Sequence, residues 1–182
     1  FERESGKLIS TIENPDNGLL FGSEVATFGE HIVVAQRQSS HAPGIVSVCD
    51  PHTGQRLVST SPGAYGIGSA VSTSGRHLIV GAPFSNQVFA FEFDSTAATL
   101  NLVRQFEPPD VTSLDRFGEA VAVLGNDLLI GAPGSDREAE NVGVVYRFNL
   151  STGDLIDTIR HPDPRANGEF GGAIAVTGDD LI

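Results

Sequence analysis

The sequence predicts an all-β fold, a β-propeller of four-stranded antiparallel blades, on three observations. No segment of the chain shows a sustained helical period of apolar residues. Short apolar runs alternate instead with turns, and 21 of the 182 residues are glycine. One pattern also recurs four times, starting at residues 21, 67, 117 and 170. The resulting spacings of 46, 50 and 53 residues suit a propeller blade of four strands.

The third copy of the repeat shows the predicted elements most clearly. We expect its four strands, A to D, at residues 118–123, 127–131, 142–148 and 154–160. Strands A and B are short apolar runs with small residues, which suit the crowded centre of a propeller. Strand C carries β-branched and aromatic residues, which favour strands. Strand D is expected to form the outer edge of the blade.

The repeats divide the chain into the end of one blade, three whole blades and the start of a further blade. The segment 151–159 closely matches 5–12, so the chain opens inside the second half of an earlier unit. The chain also contains no methionine, and we interpret it as a fragment or a processed chain. The predicted segments are 1–20, 21–63, 64–115, 116–168 and 169–182.

The repeated residues resemble those of a known family. Phe117-Gly118 followed by Gly131-Ala132-Pro133 is similar to the FG-GAP repeat, the blade unit of integrin α-chain heads and of many bacterial surface proteins. The second copy has Ile67 in place of Phe, and the first has Ala35 in place of the Gly of Gly-Ala-Pro. The resemblance implies a propeller of about seven blades, of which this chain supplies about half. It therefore implies either a homodimer that completes the propeller or flanking blades of a longer polypeptide.

Composition excludes several classes of function. Asp and Glu total 23 residues against 11 Lys and Arg, a net charge of −12, which would repel a phosphate backbone. We therefore predict no nucleic-acid partner. No apolar run approaches the roughly 20 residues of a membrane-spanning helix, so we predict no membrane insertion. The single cysteine, Cys49, forms neither an internal disulfide nor a cysteine-based zinc site.

The two faces of the predicted propeller differ in loop length. The A–B and C–D turns are short and centred on glycine, so we interpret them as connectors. The B–C and D–A loops on the opposite face are longer and hold much of the negative charge. Because long loops on a rigid scaffold commonly carry binding residues, we predict that this face binds a partner. The candidate residues are Asp16, Asn17, Asp110, Asp115, Asp163 and Asn167.

A Pro-Asp pair recurs in these D–A loops, at residues 15–16, 109–110 and 162–163. One interpretation is a ring of carboxylates on the binding face. The other is a turn in which Pro restricts φ and Asp accepts hydrogen bonds from the backbone. Recurrence at the same point of every unit favours the turn.

Calcium is the one metal that the resemblance implies, because integrin blades often hold it between strands B and C. In the third copy Asp136, Glu138 and Glu140 alternate and Asn141 follows, which is a spacing suited to a hard cation. No glycine follows the acids to make the tight turn of the family pattern. A solvated acidic loop is therefore the favoured alternative.

We expect no catalytic site. Cys49 lies in the column of the repeat occupied by Phe1, Phe93 and Phe148, which predicts a buried core thiol rather than a nucleophile. The sequence contains no nucleophile elbow, phosphate-binding loop or histidine metal motif. We therefore predict a protein that is not an enzyme.

The most consistent hypothesis is an extracellular or cell-surface module for binding or adhesion. Its acidic loop-rich face would recognise a protein or a glycan, with calcium as a stabilising ion. Two alternatives belong to other classes: a structural building block of a surface layer or fibre, and an accessory propeller of a larger secreted hydrolase.

Overall fold

The computed structural model describes residues 1–2, 4–14, 20–38, 43–110, 115–136, 140–177 and 180–181. These residues form three four-stranded antiparallel sheets and a two-stranded hairpin. In each four-stranded sheet the spatial order of the strands follows their order in the chain. The only helical element in the described part is a 3-10 turn at Pro83–Ser85. The predicted all-β fold with four-stranded blades is confirmed.

The three sheets lie within the predicted segments 21–63, 64–115 and 116–168. Blade one contains β1 (Phe21–Phe28), β2 (His31–Gln36), β3 (Ile45–Cys49) and β4 (Arg56–Thr60). Blade two contains β5 (Ala70–Ser74), β6 (His77–Ala82), β7 (Gln87–Asp94) and β8 (Thr99–Phe106). Blade three contains β9 (Val121–Leu124), β10 (Asp127–Ala132), β11 (Val144–Asn149) and β12 (Leu155–Arg160). The hairpin pairs β13 (Val176–Thr177) with β14 (Asp180–Leu181).

The first strand of blade three begins three residues later than predicted. Gly118 has a φ of +94°, which places it outside the extended conformation of a strand. The amide of Glu119 also donates to the carbonyl of Arg116 at 3.1 Å, closing a turn. The Phe-Gly pair therefore belongs to the loop that enters the strand, and β9 starts at Val121.

Each outer strand carries a β-bulge at the same place. Cys49 pairs with Arg56 and Val48 with Val58, so Leu57 is the extra residue in blade one. The same irregularity leaves Val103 extra in β8 and Ile156 extra in β12. A bulge twists and interrupts an edge, which protects it from pairing with another chain. The sequence pattern did not predict this feature.

The apolar core lies between successive sheets. Val71 and Val121 occupy the same position in β5 and β9, and each packs into the cluster shared with the preceding blade. The cluster between blades one and two includes Val33, Ile67, Leu78, Val80 and Phe91. The cluster between blades two and three includes Ile79, Phe117, Leu128, Tyr146 and Phe148. A third, smaller cluster joins blade three to the residues of the next repeat, including Leu129, Val145 and Phe170.

Successive blades meet at the glycines of the repeated motif. A Cβ atom on Gly81 would overlap with the carbonyl oxygen of Gly118, and one on Gly131 would overlap with that of Gly171. The Gly of Gly-Ala-Pro in one blade thus contacts the Phe-Gly of the next blade, and we call this contact the glycine junction. The closest constraint on these glycines is the approach of two backbones.

The prediction that Phe93 occupies the repeat position of Cys49 and Phe148 is wrong for blade two. Ile32 pairs with Cys49, Leu78 with Phe91 and Leu128 with Phe148, so Phe91 rather than Phe93 occupies the equivalent position. Strand β7 extends beyond the corresponding end of the other C strands, which displaces the Phe93 match by two residues. The thiol itself is 1% exposed, which agrees with a buried core residue. Burial raises the pKa of the Cys49 thiol.

Candidate functional site

The loop face is the face formed by the described parts of the B–C loops (37–38, 43–44, 83–86, 133–136 and 140–143) and of the D–A loops (61–69, 107–110, 115–120 and 161–175). The turn face carries the A–B turns (29–30, 75–76 and 125–126) and the C–D turns (50–55, 95–98 and 150–154). Asp16, Asn17 and Glu138 lie outside the described residues. The remaining predicted residues of the loop face can be placed individually.

The acidic B–C loop of blade three is closed by one of its own carboxylates. Oδ1 of Asp136 accepts a hydrogen bond from the amide of Asn141 at 2.6 Å. Asn141 has a φ of +49°, a conformation that Asn adopts more readily than most residues. Glu140 is exposed at the surface of the loop. Asp136 is therefore engaged in holding the loop.

The D–A loop that follows is bonded to this B–C loop through the backbone. The amide of Asn167 donates to the carbonyl of Glu140 at 2.7 Å, and that of Glu169 to the carbonyl of Asn141 at 2.9 Å. The amide of Phe170 donates to Val142 at 2.8 Å. A side-chain bond of 3.3 Å also joins Nδ2 of Asn141 to Oδ1 of Asn167. The predicted residues Asn141 and Asn167 are thus brought together, and the two loops form one surface.

The residue before each repeat motif has a left-handed backbone. Leu20, Arg116 and Glu169 have φ angles of 55°, 54° and 49°, and Gly66 has 75°.

An ion pair of 2.9 Å joins Nη2 of Arg116 to Oε1 of Glu169 and links two consecutive D–A loops. Both side chains are partly exposed, so the pair orients the loops more than it stabilises the fold.

Asn86 ties the B–C loop of blade two to the next repeat. This buried residue has a φ of +50°, and its Oδ1 accepts a hydrogen bond from the amide of Phe117 at 2.9 Å. Sequence analysis missed this role. The available signal was an Asn just before strand C in two copies, at Asn86 and Asn141.

Two of the predicted aspartates on this face have different environments. Asp115 is only 3% exposed, and its carbonyl accepts from the amide of Gly134 at 3.0 Å. Asp163 is exposed, and its Oδ2 accepts from Nη2 of Arg165 at 2.6 Å. Asp110 is also exposed. The exposed acids of the described loops are Glu107, Asp110, Asp136, Glu140, Asp163 and Glu169.

An aromatic pair on the loop face was not predicted. Tyr65 is 43% exposed and Phe84 is 49% exposed, although both are large apolar side chains. The amide of Tyr65 donates to Oγ of Ser85 at 2.8 Å, and a Cβ on Gly66 would lie 2.9 Å from the ring of Phe84. The two aromatics therefore lie on loops that are packed together. The signal in the sequence was an aromatic residue in each loop, outside the strand pattern.

The described residues do not form a calcium site by themselves. One oxygen of Asp136 is already bonded to the amide of Asn141, and the side chain of Asn141 is bonded to Asn167. No group of three or more His, Cys, Asp or Glu side chains in the described ranges is arranged to hold a metal ion. With Glu138 outside those ranges, calcium binding stays a prediction.

At the turn face each C–D turn is closed by a residue of its own blade, and Nη2 of Arg104 in blade two also donates to the carbonyl of Ser151 in blade three at 2.9 Å. Asp50, Asp94 and Asn149 each begin the C–D turn of their blade, and Oδ1 of each accepts two backbone amides of that turn. Ion pairs also join residues within one blade: Arg147 pairs with Asp127 on the neighbouring strand, and Arg76 of the A–B turn pairs with Glu92 of β7. A groove of about 260 Å³ between blades one and two is lined by residues that include Phe28, His31 and Phe93.

Comparison with known proteins identifies the repeat. Residues 101–148 match the family model described as FG-GAP repeat. The matched range runs from strand D of blade two through strands A, B and C of blade three. The chain carries an FG-GAP repeat on a partial β-propeller. No curated protein matches the sequence.

Solved structures share the propeller fold at low sequence identity. The β-propeller domain of Myceliophteria thermophila Cps50 (Swd1) superposes with a TM-score of 0.55 and 17% identity, over 82% of this chain and 45% of that one. Kuenenia stuttgartiensis hydrazine synthase gives a TM-score of 0.58 and 13% identity, over 93% of this chain and 41% of that one. This chain therefore spans less than half the length of either protein. At such identities the likeness shows the fold alone.

The described residues contain no helix with the length and apolar character needed to cross a membrane.

Proposed function

We propose that the FG-GAP propeller is a protein-binding module of an extracellular or cell-surface protein, and that it binds through the loop face. The observation that carries the proposal is the pair of exposed aromatics, Tyr65 and Phe84, on loops held against each other. Exposed aromatic residues on a rigid support are typical anchors of protein interfaces. These two side chains do not contribute to the core, which lies between the sheets.

The charge of the loop face supports a partner with a basic surface. Asp110, Glu140 and Asp163 are exposed on loops of this face, and the whole chain carries a net charge of −12. Complementary charge at the rim of an interface mainly speeds association and selects partners. We therefore propose an interface in which the two exposed aromatic side chains are the anchors and the exposed acidic side chains form the rim. A glycan ligand is the alternative, since aromatic rings and carboxylates also suit sugars.

The structural-polymer alternative has a specific observation against it. Bulges interrupt the edge strands β4, β8 and β12, which hinders sheet-to-sheet pairing between chains. The accessory role in a secreted hydrolase is compatible with a binding module, because such a propeller would bind while another domain performs the chemistry.

We also propose that blade one is covered by a further blade. Val25 is 56% exposed, whereas Val71 and Val121 at the same position pack against a preceding sheet. The covering blade would come from flanking sequence or from a second copy. Light scattering separates the two sources: a mass near 38 kDa supports a second copy, and a mass of 19.1 kDa at all concentrations argues against it.

Binding experiments with a panel of purified extracellular protein domains and a glycan array test the proposal. We expect saturable binding to at least one protein that falls tenfold or more in Tyr65→Ala and Phe84→Ala. Val103→Ala is the matched control, because it removes an exposed apolar side chain from the outer strand β8. Glu140→Lys should weaken the same binding more than Asp154→Lys on the turn face. Equal losses in the control variants, or ligands found on the glycan array alone, would contradict the proposal.

A further inference from the structure

Asn149, which begins the C–D turn of blade three, is followed two residues later by a serine. Of the eight asparagines in the chain it alone has Ser or Thr at that spacing, and the residue between them is Leu150 rather than proline. This is the acceptor pattern for N-linked glycosylation, in which an oligosaccharide is attached to the side-chain amide of asparagine. The pattern indicates a site where the turn lies at the surface and leaves Nδ2 of the asparagine unengaged.

The turn lies at the surface of the protein. Ser151 and Thr152 are exposed, and Asn149 is partly exposed. The turn belongs to the turn face, opposite the face that carries Tyr65 and Phe84. A glycan attached here would project from the side that the proposed binding site does not use.

The hydrogen bonds of Asn149 are made by its side-chain oxygen. Oδ1 accepts from the backbone amides of Ser151 at 3.0 Å and Thr152 at 2.9 Å, and from Nδ2 of Asn126 at 2.9 Å. Backbone amides only donate, so the atom that they contact is the carbonyl oxygen of the side chain. None of these bonds involves Nδ2 of Asn149. A sugar bonded to Nδ2 therefore leaves the closure of the turn intact.

The other blades show that this turn does not itself require asparagine. Asp94 closes its turn with the same two kinds of bond, from the amides of Thr96 at 2.8 Å and Ala97 at 3.1 Å. Asp50 accepts two amides in the same way in blade one. A carboxylate supplies the acceptor oxygen but has no amide nitrogen to glycosylate. Of the three turns, that of blade three combines a side-chain amide with Ser at the required spacing.

We propose that Asn149 is an N-linked glycosylation site, an inference that rests on the extracellular location in the proposed function. The donor is an oligosaccharide carried on a polyprenyl diphosphate, and an oligosaccharyltransferase transfers it. Nδ2 loses a proton and forms a bond to the anomeric carbon of the first sugar. The bond from that carbon to the diphosphate breaks, and the polyprenyl diphosphate leaves with the electron pair. Ser151 completes the pattern that the transferase recognises.

Secretion of the 182-residue chain from cultured mammalian cells tests the site, with peptide mass spectrometry as the readout. We expect most of the secreted molecules to carry a glycan at Asn149 that peptide N-glycosidase removes, leaving aspartate at this position. Asn149→Asp and Ser151→Ala should each abolish the modification. Asn149→Asp keeps an acceptor oxygen in the turn, as Asp94 does, so it should still be secreted as a folded protein.

The equivalent turns of the other blades provide matched controls. Asp94→Asn completes the same pattern with Ser95 and Thr96 and should add a second glycan. Asp50→Asn should add none, because Pro51 follows it. Together the two variants show that the cells modify a C–D turn only where the pattern is complete.

An unmodified Asn149 in the secreted protein would overturn the proposal, and so would a glycan that persists in Asn149→Asp. Binding by the loop face is measured separately. The glycosylated protein and Asn149→Asp should bind the same partner with equal affinity, because the glycan lies on the opposite face. A glycan at Asn149 in a protein that binds no partner would support this site and contradict the proposed function.

Discussion

The two ends of the same blades are held in different ways. At the loop face, the glycine junctions, Asn86 and the bonds between B–C and D–A loops connect one repeat to the next. At the turn face, Asp50, Asn149 and the Arg147–Asp127 pair connect residues of a single blade, and the side chain of Arg104 bonds to the carbonyl of Ser151 in the next blade. The repeated motif therefore lies at the end where blades are joined. The difference suggests that the loop face is a rigid common platform, while each turn is closed locally.

The largest effect is expected at a glycine junction. Gly131→Ala forces a methyl group against the carbonyl of Gly171, and relief requires a backbone shift between repeats. We expect a loss of about 3 kcal/mol in the free energy of unfolding, because the two backbones leave no space for an added methyl group. Denaturant unfolding measures it. Ala already occupies the equivalent position at Ala35, so Ala35→Gly is the control and should cost about 1 kcal/mol or less. If Gly131→Ala left the free energy of unfolding unchanged, the close backbone contact at the glycine junction would be contradicted.

Asn86→Ala should give the next largest loss. It leaves the buried amide of Phe117 without its acceptor and puts Ala at a positive φ. We expect about 2 kcal/mol from the unpaired amide and the strained backbone. Asn126→Ala on the turn face removes exposed side-chain bonds to Asn149 and Ser151 and should cost under about 1 kcal/mol. Equal costs for the two variants would remove the distinction between the faces.

The contrast shows what sequence could and could not predict. Phe117-Gly118 and Gly131-Ala132-Pro133 recur in register, so the blades, their order and the long loops followed from the pattern. The aromatic column was misplaced by two residues at Phe93, because the extra length of β7 is a property of pairing rather than of composition. The bulges at Val103 and Ile156 were missed for the same reason.

The candidate site was predictable in place but not in detail. The choice of the loop face rested on loop length and acidic residues such as Asp163 and Glu140. The loop-closing role of Asp136 depends on its bond to the amide of Asn141 in the same loop, which the spacing of the acids does not reveal. The burial of Asp115 and the exposure of Tyr65 depend on contacts between a D–A loop and a B–C loop, with Gly134 and Ser85, which a short motif does not encode.

A smaller effect is expected for the turn-face ion pair. Arg147 donates through Nε to Oδ2 of Asp127 at 2.8 Å, and both side chains are partly exposed. Because solvent and salt screen such pairs, Arg147→Ala should cost at most about 1 kcal/mol. The difference from the unmutated protein should shrink further in 1 M sodium chloride. Thermal melts at low and high salt measure both values, and a cost above that of Asn86→Ala would contradict the comparison.

The smallest effect is a pH dependence within one C–D turn. The amides of Thr53 and His52 donate to Asp50 and hold the pKa of its carboxyl below the usual value. A pKa that is lower in the folded state contributes stability above the unfolded value of about 4, and this is lost as pH falls through the folded value. Melting of Asp50→Asn should therefore differ most from the parent near pH 7 and converge with it near pH 2. Asn149→Asp is the reverse test and should introduce the same dependence.

Hydrogen exchange at single amides tests the central claim that the loop face is a preorganised platform. The amides of Asn141, Asn167, Glu169 and Phe170 bond to the side chain of Asp136 or to backbone carbonyls of the neighbouring loop. We predict that exchange of these four amides, followed by NMR in the free protein, is slowed at least a hundredfold relative to an unstructured peptide. The amide of Glu140, which makes no such bond to the described residues, should exchange faster than they do. Exchange of all four at the unstructured rate would contradict the account, because the loops would then not form one rigid surface.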